Sequence, residues 1–174
     1  MRLVDINATV SLSDTRPVRI RLEAKLEDVV QGYQVEIGLH DIVLLESVDL
    51  QDFSDEWARI AEEHPFFKLR LCESPIELRF FAYAMHRIPG LRPQVVVGPY
   101  RVDLAIPEKR VAIELDGHQF HSTPQQRTRD AKRERFLQRE GWQVIRFTGT
   151  EIHKDVLGCI DEAIETIAKL PVLR

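Results

Sequence analysis

Acidic side chains stand where strands usually carry apolar ones in the stretch RVDLAIPEKRVAIELDGHQFH, residues 101–121. Its first half alternates Val102, Leu104 and Ile106 with Arg101, Asp103 and Ala105. After Glu108-Lys109-Arg110, Val111, Ile113 and Leu115 alternate with Ala112, Glu114 and Asp116. Successive side chains on a strand point to opposite faces, so each segment has one apolar face and one small or polar face. Paired as a hairpin, the two strands bring Asp103 and Glu114 to one face near the ends away from the turn. Asp116 follows on that same face. Converging carboxylates repel unless a divalent cation lies between them. One or two acids, completed by water and substrate phosphate, form the shell that Mg²⁺ prefers, with Mn²⁺ as substitute. His118 and His121 add imidazoles beside the acids, which completes the parts for metal-assisted phosphodiester hydrolysis. The bet is geometric: a basic side chain already filling the gap between Asp103 and Glu114 would remove the reason for a cation there.

As a set, these residues resemble the PD-(D/E)XK nuclease superfamily, and within it the restriction-endonuclease-like proteins related to the very-short-patch repair (Vsr) endonuclease. The shared pieces begin with an acidic helix, then Asp103 and, after ten intervening residues, Glu114-x-Asp116. They continue with ELDG at Glu114 to Gly117, His118 and His121, Asp130 with Arg133 in a helix, and GWQVIRF from Gly141 to Phe147. The resemblance covers roughly residues 74–170. It implies a restriction-endonuclease-like fold and metal-dependent cleavage of DNA, in repair, restriction or mobile-element defence. It also implies Asp103, Glu114 and the backbone carbonyl of Leu115 as metal ligands, with Glu77 beside them. Many such nucleases act as homodimers on duplexes, although nothing in this chain marks a dimer seam.

Asp116 is the main departure, because the superfamily pattern has lysine there. An aspartate supplies no positive charge, so that work passes to the metal or to Lys132, Arg129 or Arg133. Asp116 itself is then a further ligand, or the holder of an arginine such as Arg133. His121 matches the spacing of the catalytic histidine in the Vsr-like stretch H-G-x-F-W-H, whose first histidine is replaced here by Asp116. Two roles stay open for His121: general acid or base, and hydrogen-bonding residue where a helix begins. His118 is the weaker candidate, and His40, His64, His86 and His153 read as ordinary surface or capping residues. Asp130 and Arg133 either face the site, as the resemblance implies, or pair with each other three residues apart.

The chain of 174 residues carries a net charge of −4, unevenly spread. Residues 1–75 hold 8 Lys and Arg against 15 Asp and Glu, whereas residues 76–174 hold 16 against 13. Arg127, Arg129, Lys132, Arg133 and Arg135 make a basic stripe that could position a phosphate backbone, or a solvated helix laced with salt bridges. No base-reading module is visible, and RNA offers the same phosphodiester as DNA. Two cysteines, Cys72 and Cys159, give neither a disulfide framework nor a zinc knuckle. No apolar run reaches membrane-spanning length and MRLVDINATV is not signal-like, which is the expectation for a cytoplasmic protein away from membranes.

These residues need elements to position them. Residues 1–70 read as an acidic β-rich extension of unassigned role, open to a protein partner, with Gly32 and Gly38 punctuating its strands. One helix runs from Asp52 to Glu63, with Trp57 as core. Residues 71–174 read as the nuclease domain. Ser74-Pro75-Ile76-Glu77 is a capping box that opens a helix to about Arg87, so Glu77 has a structural role as well as a site role. Gln94 to Gly98 is a strand with Gln94 at its solvent-facing end. With the two acid-bearing strands it makes an antiparallel meander with one covered face. A second capping box at Thr123 starts a helix to about Glu140, and WQVIRF returns as a parallel strand through a β-α-β crossover. An amphipathic helix from about Lys154 to Lys169 covers the sheet. The fold class expected is α/β, a mixed central sheet flanked by helices.

Overall fold

Alternation in the N-terminal residues becomes a three-stranded antiparallel sheet: β1 (Arg2–Ser11), β2 (Val18–Val30) and β3 (Tyr33–Leu45) in that spatial order. Gly38 does not punctuate; it lies inside β3 opposite Lys25. The computed structural model describes residues 2–11, 18–30, 33–45, 65–116 and 123–170. Gly32, His64 and the expected helix at 52–63 with Trp57 therefore lie outside the described residues. The chain divides into two units, Met1–Leu71 and Cys72–Arg174.

The second unit opens with helix α1 (Pro75–Ala84). Ser74 caps it by accepting the Glu77 amide at 3.2 Å, as its sequence predicts. The reciprocal half of the box differs, because the Glu77 carboxylate accepts from the Glu73 amide, one residue upstream of the cap. Phe80, Phe81 and Ala84 are wholly buried along its inner face.

A four-stranded sheet follows: β4 (Arg92–Val97), β5 (Tyr100–Ile106), β6 (Val111–Asp116) and β7 (Gln143–Thr148), arranged in that order. The first two pairings are antiparallel and β6–β7 is parallel, as the meander and crossover require. Helix α2 (Pro124–Arg139) makes the crossover, and α3 (Gly149–Lys169) closes the chain's described part. The sheet is covered on both faces, not one. Leu137 and Phe136 of α2 pack with Val97, Val102, Ala105, Ala112 and Val144. On the opposite face Phe80 of α1 stacks on Phe147 of β7, with ring centroids 5.7 Å apart. This is the mixed α/β architecture with flanking helices expected from the sequence.

Two local features fix the layers. The β4–β5 turn depends on Gly98, at φ +57°, where a Cβ would come within 2.4 Å of the Phe136 ring. Helix α3 begins five residues before its expected start, because Thr148 and Glu151 form a full capping box. The expected start at Lys154 marks instead a break at Asp155, whose carboxylate accepts the Gly158 amide and starts the helix again.

Candidate active site

The β5–β6 ladder ends at the Leu104–Ile113 pair, and the β4–β5 ladder runs from Pro93–Leu104 to Val95–Val102 without pairing Gln94 and Asp103. Extending both registers by one position lines up Gln94, Asp103 and Glu114, and Glu114 is itself paired with Arg146. One row across all four strands thus holds an amide, two carboxylates and a guanidinium. The interruption at Asp103 has a local cause: its carboxylate, not a backbone carbonyl, accepts the Leu115 amide at 2.8 Å.

Glu114 is only 2% exposed, in a strand buried on both sides. Burial pushes its carboxyl up to about 7, against the pull of Arg133, and Asp103 and Asp116 push further. Asp103 is also raised, first by burial and then by Glu77 and Asp116, while the Leu115 amide and Arg133 oppose the shift. Asp103, in the adjacent strand, thus adds to the rise of Glu114.

Arg133 reaches into this gap. Its Nη2 donates to Glu114 Oε1 at 2.8 Å and to the Arg101 carbonyl at 2.5 Å. The expected pair with Asp130 does not form: Arg133 turns inward to Glu114, while Asp130 is exposed on α2. Arg133 does not hold Asp116 either. That carboxylate lies 3.3 Å from Arg146 Nε, and both side chains are about two-fifths exposed. The Nε of Arg133 is buried with no hydrogen-bond partner, a condition that costs about 1–3 kcal/mol when an acceptor is lacking.

Glu77 sits at the margin of this cluster, 7% exposed. Its Oε2 accepts from Gln94 Nε2 at 2.6 Å as well as from the Glu73 amide. Gln94 is not a solvent-facing strand end, as the sequence suggested, but a partly buried residue at φ +55° that holds Glu77. Burial and Glu77 together push the neighbouring Cys72 thiol up to about 12, so it is a poor nucleophile. His118 and His121 lie in 117–122, outside the described residues, as does the Arg127 side chain. Arg129, Lys132 and Arg135 are exposed on α2. Two residues the sequence reasoning did not assign to the site, Arg146 and Gln94 as a buried partner, are placed there by strand register.

Among the described residues no three His, Cys, Asp or Glu side chains form a group able to cage a metal ion. Asp103 and Glu114 fit a more open site. Both offer hard oxygen donors, and each carboxylate keeps one oxygen outside its recorded hydrogen bonds. Such a pair suits Mg²⁺ or Mn²⁺, which retain water and take one or two carboxylates, better than a metal needing a closed protein shell.

Residues 84–167 match the family REase_MTES_1575, a restriction-endonuclease-like group. An uncharacterized protein of Haemophilus influenzae is 38% identical over 74 residues, which are 42% of this chain and 43% of that protein. The match thus spans less than half of that relative's length. The catalytic domain of the homing endonuclease I-Bth0305I aligns with a TM-score of 0.43 at 21% identity, over 56% of this chain and 93% of that domain. The matched residues 84–167 include Asp103, Glu114 and Arg133.

Proposed function

We propose that the protein is a metal-dependent endonuclease that hydrolyses DNA phosphodiester bonds. The single observation that supports this most is the placing of Asp103 and Glu114 in one row at an interruption of the sheet, both raised by burial, in a segment that matches a restriction-endonuclease-like family. Asp103, Glu114 and the Leu115 carbonyl would hold Mg²⁺ or Mn²⁺, which supplies Lewis acidity for attack on phosphorus. Glu77, held by Gln94, adds negative potential at the margin. Arg129, Lys132 and Arg135, exposed on α2, would receive the phosphate backbone and so fix position without reading sequence. His121 is assigned proton transfer in this reading, and His121→Ala tests it.

The ion pair between Arg133 and Glu114 does not close the gap to a cation. It uses one carboxylate oxygen and offsets one of two negative charges. It does favour a second reading, a nuclease-fold module that binds nucleic acid or protein without cutting, as does Asp116 paired with Arg146 where the superfamily pattern has lysine. Incubation of supercoiled plasmid with the full chain and Mg²⁺ or Mn²⁺ separates the two. Nicking that needs the metal and is lost in Glu114→Gln supports the enzyme; retention of DNA without nicking supports the module.

A further inference from the structure

We infer that Arg133 is a catalytic residue whose Nε–H takes a non-bridging oxygen of the scissile phosphate; the inference rests on reading Asp103 and Glu114 as a phosphodiester site. The Nε of Arg133 is buried without a hydrogen-bond partner. It belongs to the guanidinium that sits on Glu114. A purely structural ion pair explains Nη2, which Glu114 and the Arg101 carbonyl share, but leaves the Nε–H without purpose. Arginine has a fork in which Nε and Nη2 point the same way, and it grips carboxylate and phosphate along that edge. Nη2 is already fixed on the carboxylate, which leaves the adjoining Nε–H as the unused donor of that edge. The Nε itself is buried while the side chain is 27% exposed, so the contact requires the phosphate to displace what covers that nitrogen.

The other cations are less well placed for this work. Arg146 is engaged with Asp116, and Arg129, Lys132 and Arg135 are exposed on the helix, suited to the flanking backbone rather than to the reacting group. Arg101 is exposed and paired with Glu73. Asp116 cannot stabilise negative charge, so the guanidinium on Glu114 is the preorganised donor at this site.

The test follows the Nε–H of Arg133 directly, by ¹H–¹⁵N NMR of the full chain, with Arg133→Lys identifying the signal. Addition of a short DNA duplex with Ca²⁺ is expected to move that resonance downfield and slow its exchange with water, relative to Ca²⁺ alone. Arg133→Ala is expected to bind Mn²⁺ no more weakly than the parent, yet to cut about 10²–10³-fold more slowly, with part of the rate restored by added guanidinium. An unmoved resonance overturns the inference. So does a variant that loses Mn²⁺ binding and cleavage in proportion, because Arg133 would then only hold Glu114 in place. If the parent cuts nothing with any metal while the resonance still moves, the nuclease reading fails and the phosphate contact stands.

Discussion

Among the described residues two other than glycine have left-handed backbones, one at the β5–β6 turn and one inside β4 of the same sheet. Arg110, at φ +50°, caps the short 3₁₀ turn Pro107–Lys109, where its amide donates to the Pro107 carbonyl. A left-handed residue after a helical turn is an ordinary way to reverse a chain, and its guanidinium binds the Glu140 carbonyl in solvent. Gln94, at φ +55°, lies inside β4, where no turn asks for it. Its strain coincides with buried carboxylates, a gap in the ladder and an unpartnered arginine nitrogen. The turn spends its irregularity on connecting strands. The row of Gln94, Asp103 and Glu114 holds charge and strain that folding alone does not require, a pattern that marks functional sites.

The sharpest way to break this contrast is to neutralise the acid row. Glu114→Gln is expected to lower metal-dependent cleavage by about a thousandfold or more while the circular dichroism spectrum stays native. Substantial residual cutting would move the chemistry away from this row. Next in size, Gln94→Gly should relieve the left-handed strain and leave thermal stability equal or higher, by up to about 1 kcal/mol. It should still slow cleavage about 10–100-fold, because Glu77 loses its amide donor. A loss of stability together with activity would make Gln94 a packing residue.

A third outcome concerns protons. Glu114 has a folded-state value near 7 against an ordinary 4.5, so the folded state holds the proton more tightly than the unfolded chain. Its contribution therefore favours folding at acid pH and is lost as pH rises from 4.5 through about 7. A cation must displace that proton. Mn²⁺ should raise the melting temperature clearly at pH 8 and scarcely at pH 5.5, and an equal shift at both would separate the ion from Glu114. The smallest effect is expected at the turn. Arg110→Gly trades an exposed hydrogen bond for a relaxed backbone, so stability should stay within about 0.5 kcal/mol and cleavage should not change. A large loss of activity there would end the distinction between the turn and the acid row.

Much of this site was legible in the sequence because it is local. Period-two alternation in 101–116 names the faces of β5 and β6, and ten residues between Asp103 and Glu114 leave room for one tight reversal. What the sequence did not disclose depends on longer-range register. Arg146 reaches Asp116 because β6 and β7 run parallel, a pairing set across the whole crossover. Arg133 turns to Glu114, not Asp130, because Phe136 and Leu137 seat α2 on the sheet and so set its rotation. The left-handed Gln94 had no local sign, since glutamine is not a residue that announces such a backbone. The capping box at Thr148 and Glu151 stands in the sequence ahead of the apolar period, which begins only later in the helix.

The Leu115 amide has a further consequence. Where a sheet would normally add one more backbone rung, this one hangs on the Asp103 side chain. The length of the hairpin is therefore tied to the electrical state of a single acid. Whatever neutralises that carboxylate loosens the strand end just ahead of Asp116, so deuterium uptake at Leu115 would time the arrival of charge.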